Sequence, residues 1–151
     1  MSGVPATTVT IPDPGEGLEW RGDLRVPEVL ADFEVGPLWL NGDPLTVGIA
    51  DTFALRRQGL MHITDLGDLD GMVFIFEEDY SGGFWMKNTL IQLDIAFFRE
   101  DGVYVDEFLM DPCVTDRCET YTPGGPYRYA LEMAAGSMPD LPLTFSLEEP
   151  E

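Results

Sequence analysis

The sequence predicts a mainly β (α+β) fold, an antiparallel sheet curled into a small barrel or sandwich with one short helix. Three observations carry this expectation. Short apolar runs rich in β-branched and aromatic residues recur along the chain, each closed by turn-forming residues, which is the pattern of strands in a meandering sheet. Only one stretch carries both a helix start and a helix stop. A length of 151 residues suits a single core, since a domain of this size hides roughly two-thirds of its unfolded surface.

Taken in order, residues 1–30 are rich in Pro, Gly, Asp and Glu, and Pro5, Pro12, Pro14 and Pro27 interrupt regular structure there. They read as a flexible or wrapping arm, followed by a single domain over 31–148. FEVGPLWL and LTVGIA flank Asn41-Gly42-Asp43-Pro44, a turn between two apolar runs and hence a hairpin. Asp51 and Thr52 are good N-cap residues for a short helix through FALRRQGLM that closes near Gly59. Arg56 and Arg57 then fall near its C-terminus, where cations offset the helix dipole.

Strands follow at 72–76, 83–88, 93–98, 103–110 and 127–134. Asp101-Gly102 is the sharpest hairpin signal. In YRYALEMA, Tyr127, Tyr129, Leu131 and Met133 alternate with Arg128, Ala130, Glu132 and Ala134, as in a strand with one wet face. LTFSL supplies a last short strand.

Charge narrows the function classes. With 28 acidic against 8 basic residues the formal net charge is -20, a field that repels phosphate backbones and anionic lipid. No localised basic patch offsets it, so no nucleic-acid partner is expected. Such a composition arises from adaptation to high salt or from a bias of Arg over Lys. No run of about 18 apolar residues is present, so no membrane span is expected. MSGVPATTVTIPDPG lacks the basic and hydrophobic segments of a secretory signal.

The stretch GGFWMKNTLIQLDIAFF, residues 82–98, holds the only lysine in the chain, Lys87. Strand alternation would set Trp85, Lys87 and Thr89 on one surface. Asp94 sits among apolar neighbours, where a carboxylate needs a partner, and Lys87 or Arg57 can supply it. The plain reading of that pair is structural. The sharper one is a cleft in which Lys87 and Asp94 serve as electrostatic anchor and general base. The candidate ligand-binding set is therefore Arg57, Trp85, Lys87, Asn88 and Asp94.

Other signals are weaker. His62 is the only histidine and lies in a turn-like stretch with no Cys or Ser motif nearby, which favours a structural role. Asp68, Asp70, Gly71 and Glu77 echo a calcium loop, but Leu66 occupies the first ligand position and cannot ligate. A solvated acidic turn fits better, and neither metal nor cofactor is called for. Cys113 and Cys118 are separated by four residues, VTDR, in a loop. A disulfide there would add about 2 kcal/mol by chain entropy; free thiols and, less well, a redox pair are the alternatives. A disulfide points to an oxidising compartment.

VGIADTFALRRQGLM, DGMVFIF, FWMKNTLIQLDIAFF, the Pro112-Cys113 to Cys118 loop and PGGPYRYALEMAAG together resemble the bacterial and archaeal domain of unknown function 192. The resemblance places Arg57, Gly59, Leu60, Met61, Trp85, Met86, Lys87, Asn88, Thr89 and Asp94 at the family's signature positions. Gln92 and Glu119 stand where that family often has proline, which loosens two loops. Members often carry a signal peptide or lipoprotein leader, in keeping with the disulfide. The resemblance implies no biochemical activity.

These readings give an extracytoplasmic binding module for a small polar or anionic ligand. The alternatives are a hydrolase-like enzyme using Lys87 and Asp94, and an accessory domain that binds an unknown partner protein through a sheet edge or the N-terminal arm.

Overall fold

Two strands precede the region where regular structure is expected. The computed structural model describes residues 10–151, so Pro5 of the expected arm lies outside the described residues. Beyond it, β1 (Leu18–Arg21) and β2 (Leu24–Pro27) form a hairpin. It turns at Gly22, whose φ of 61° suits glycine. The hairpin is moored to the body by Asp68, which accepts from the Arg25 backbone N–H at 2.7 Å and from its guanidinium at 2.9 Å. Hydrogen bonds from Arg25 hold the Asp68 carboxyl below the usual carboxylate range. Val26 and Leu30 are fully buried.

The predicted hairpin follows as β3 (Glu34–Leu40) and β4 (Asp43–Ala50). Its two-residue turn is Asn41-Gly42, with φ of 54° and 81°, the left-handed pair such a turn demands. Helix α1 (Phe53–Gln58) begins where Thr52 Oγ1 accepts from the Leu55 N–H at 3.2 Å and ends at Gly59. The remaining strands are β5 (Gly71–Tyr80), β6 (Phe84–Trp85), β7 (Leu93–Phe98), β8 (Tyr104–Met110), β9 (Thr120–Tyr121), β10 (Tyr127–Ala134) and β11 (Phe145–Ser146).

Seven of these pair in the order β11-β3-β4-β5-β10-β7-β8, and β6 pairs separately with β9. Among the strand pairs of the described residues only β4/β5 is parallel, because the chain crosses over through α1 between them. The sheet curls into a half-barrel. At one end its two margins meet, where Val103 bridges Thr144 and the Phe145 N–H donates to the Gly102 carbonyl at 3.4 Å. One face buries Leu38, Val47, Val73, Phe98, Leu131 and Phe145. The other buries Met72, Phe74, Ile95 and Phe97 under Leu60, Ile63 and Met86. Each such side chain contributes roughly 1.5–3 kcal/mol by leaving water.

Three expectations change. The wet face of the 127–134 strand does not exist: β10 is central, with β5 and β7 beside it and side chains packed on both faces, so Ala130 and Glu132 are as buried as Leu131 and Met133. The strand expected over 83–88 ends at Trp85. Asn88 adopts φ 58° and the Thr89 N–H closes back on the Met86 carbonyl at 2.9 Å, so alternation breaks and Thr89 turns inward. The acidic turn is not merely solvated, since Asp70 also accepts, from the Thr46 N–H at 2.8 Å.

Candidate functional site

A cleft of about 940 Å³ opens between α1, the outer half of β5 and the Gly83–Trp85 segment, within the size range of small-molecule sites. Its depth is lined by Gly59, Leu60, Phe74, Thr89 and Glu132, all buried. Phe76 and Phe84 form the walls, and Phe53, Tyr80 and Trp85 stand exposed around the mouth. Local structure sets each wall. The tight end of α1 at Gly59 lets Phe74 approach, its ring lying 3.2 Å from where a Cβ would be. Phe84 packs edge-on against Phe74, with centroids 4.9 Å apart.

Glu132 is the residue the sequence misassigns. Its side chain shares a face of β10 with Ala130, flanked across the ladders by Met72 and Ile95. It is 4% exposed, and among the described residues its carboxyl makes no hydrogen bond or ion pair. Burial alone pushes it up to about 8, so at neutral pH it stands as a protonated acid. Thr89, 5% exposed, has only a long contact from its hydroxyl to the Lys87 carbonyl, at 3.5 Å. An acid and a hydroxyl with spare hydrogen-bonding capacity therefore line an otherwise aromatic cleft. The small residues Ala130 and Ala134 alternating with Glu132 were the available signal, since they suit a packed face better than a wet one.

The five expected ligand-binding residues divide. Arg57 and Trp85 line the cleft; Lys87, Asn88 and Asp94 do not. Lys87 Nζ donates to the Thr115 carbonyl at 2.7 Å and lies 3.5 Å from Asp116. Asp94 accepts from the Gly136 N–H at 2.9 Å. The expected pairing of Asp94 with Lys87 or Arg57 is thus not formed; Lys87 is bridged to Cys113 and reaches the 113–118 loop, and a backbone N–H meets the carboxylate instead. Asn88 helps hold that loop, its N–H donating to the Cys113 carbonyl at 2.8 Å. Cys113 and Cys118 are joined as a disulfide. Arg56 is committed as well, to the Ile75 carbonyl at 2.9 Å and over the Phe76 ring at 4.8 Å. Arg57 makes no ion pair among the described residues. The exposed His62 takes φ 65° and donates its N–H to the Asn88 carbonyl at 2.9 Å. No cluster of three or more His, Cys, Asp or Glu able to hold a metal occurs among the described residues.

The profile of DUF192, described as "Uncharacterized ACR", matches residues 38–144. The chain belongs to the DUF192 family. Every residue in the depth of the cleft falls inside the DUF192 match, whereas the β1/β2 hairpin lies before it. No curated protein matches the chain. It is similar to a crystal structure of a protein of unknown function from Novosphingobium aromaticivorans, 26% identical, with a TM-score of 0.66 over 82% of this chain and 90% of that one. It is similar also to a candidate transcription regulator from Sinorhizobium meliloti, 30% identical, with a TM-score of 0.60 over 70% of this chain and 84% of that one. DUF192 names a family without an activity, so chemistry has to be sought in the cleft itself.

Proposed function

We propose that this DUF192 protein is an extracytoplasmic binding module, with residues 31–148 as its single domain, 1–30 as its arm, and the α1/β5 cleft as the site for a small polar ligand. The observation that carries the proposal is Glu132, a buried carboxyl without a partner on the lining of a cleft. Burying such a group costs several kcal/mol unless something pairs with it, and an incoming ligand is the natural partner. Trp85 and Phe53 offer flat apolar surface at the mouth, and Arg57 offers a free guanidinium for an anionic substituent. The Cys113–Cys118 disulfide supports the compartment. No helix among the described residues is long and apolar enough to cross a membrane.

Hydrolysis by Lys87 and Asp94 has lost its support, because the two groups are held by separate partners. A regulator's role on nucleic acid, suggested by the Sinorhizobium relative, is opposed by the net charge of -20. Protein binding is favoured as a second reading by one observation, the exposed Phe53, Tyr80 and Trp85 side by side at the mouth.

The test is a thermal-shift screen of small acids, amines and neutral polar compounds. A ligand at 100 times its Kd adds about 2.7 kcal/mol, which raises Tm by about 5–10 °C in a domain of this size. A true hit loses its shift in Trp85→Ala and in Thr89→Val. A screen in which no compound moves the wild-type Tm sinks the proposal.

A further inference from the structure

We infer that the ligand this cleft is built for is an organic cation, a primary ammonium on an apolar or aromatic body, with its nitrogen seated against Glu132. The inference rests on the binding reading above and narrows it to one chemical class. Three observations choose the cation over an anion. The polar side chains that reach the buried depth of the cleft are Glu132 and Thr89, and both can accept a hydrogen bond from an ammonium. An anion taken to that depth would find no unengaged guanidinium, because Arg56, though it lines the cleft, is turned to the Ile75 carbonyl and the Phe76 ring while Arg57 is exposed. The walls are aromatic, with Phe74, Phe84 and Trp85 on the lining, Phe76 being already faced by Arg56 and Tyr80, and aromatic ring faces attract cations.

The surroundings act in the same direction. Glu77, Glu78 and Asp79 line the β5 side, and of these only Asp79 is paired among the described residues, with Arg128 at 3.1 Å. With a net charge of -20 behind them, they draw a cation toward the mouth and raise its local concentration. The remaining titratable group on the lining is Tyr80.

Binding carries a proton balance. The empty site holds Glu132 as a neutral acid at neutral pH; an arriving R–NH3+ pairs with the carboxylate, and the carboxyl proton leaves to solvent. One proton is therefore released per ligand bound, and affinity rises about tenfold per pH unit between about pH 5 and about pH 8.

The full chain is titrated calorimetrically with phenethylamine, with hydrocinnamate as the matched anion and with hydrocinnamyl alcohol as the matched neutral compound, in buffers of different ionisation enthalpy. The expected result is binding of the amine with release of close to one proton, at least about tenfold preference over the other two, and loss of the proton release in Glu132→Gln. Proton release is read on the wild type, so the test stands even if the variant folds poorly. Equal or tighter binding of the acid or the alcohol, or amine binding with no proton released, overturns the cation and leaves the cleft as a polar site. If none of the three binds, both the cation and the cleft reading fall.

Discussion

Exchange of Glu132 for Gln isolates the energetic consequence of the buried acid. In the unfolded chain this carboxyl ionises near its ordinary 4.5, whereas burial in the fold pushes it up to about 8. Between those values the folded protein keeps a proton that the unfolded chain has given up, so stability declines as pH rises, by about 1.4 kcal/mol per pH unit. Below 4.5 both states are protonated and the burial carries no ionisation penalty. Gln has nearly the same shape and cannot ionise, so it leaves a buried amide whose cost of roughly 1–3 kcal/mol does not change with pH. The other acidic residues titrate alike in both proteins and drop out of the difference. From about pH 5 to about pH 7.5, the stability of Glu132→Gln relative to wild type should therefore rise by about 3 kcal/mol. Urea unfolding at several pH values measures this, as a gap between midpoints that moves by about 1 M or more while the slopes stay equal. Parallel profiles, with the gap changing by less than about 0.5 kcal/mol, would refute the raised pKa and with it the picture of a neutral acid in the cleft.

Three further outcomes are expected. Tyr127→Phe removes the phenol that donates to the Gly82 carbonyl at 2.7 Å; it should cost about 1–2 kcal/mol in urea unfolding, and an unchanged midpoint would mean that water satisfies that carbonyl. Reduction of the Cys113–Cys118 bridge should lower stability by about 2 kcal/mol in a reversible melt, and a drop beyond about 4 kcal/mol would show that the loop holds more than itself. Raising ionic strength from about 0.05 M to about 1 M should raise Tm, because salt screens the self-repulsion of a chain at -20; indifference to salt would remove the high-salt explanation of the composition.

Local signals were legible where local chemistry decides the structure. Thr52 before an amphipathic run and Gly59 behind it bound a helix by capping alone, and Asn41-Gly42 fixes a hairpin by its backbone freedom. The bounds of β7 and β10 also follow the apolar pattern. What stayed hidden depends on neighbours distant in sequence. Whether Glu132 faces water is set by Leu60, Ile63 and Met86 lying over the sheet, which no period in YRYALEMA encodes. Lys87 drew attention as the lone lysine, yet its backbone bridges Cys113 and its ammonium serves the 113–118 loop and not the cleft, contacts no local pattern encodes. The β1/β2 hairpin was obscured by Pro27 within it, by the prolines before it and by strands of four residues each, too short for alternation to stand out. Trp85 and Arg57 both line the cleft, although the sheet face that singled out Trp85 and the Asp94 pairing that singled out Arg57 do not form.

The join of Val103 to Thr144 matters for how molecules of this chain meet one another. A free strand margin is a row of unmet amides that invites a second chain to dock and continue the ladder. Here Phe145 and Ser146 pair with Leu40 and Trp39 at the end of β3, and Thr144 bridges Val103 just before β8, so at this end a single short segment occupies both margins. Mutual repulsion among acidic surfaces acts at long range and this molecular hem acts at contact, so at that end two separate effects oppose fibrous stacking.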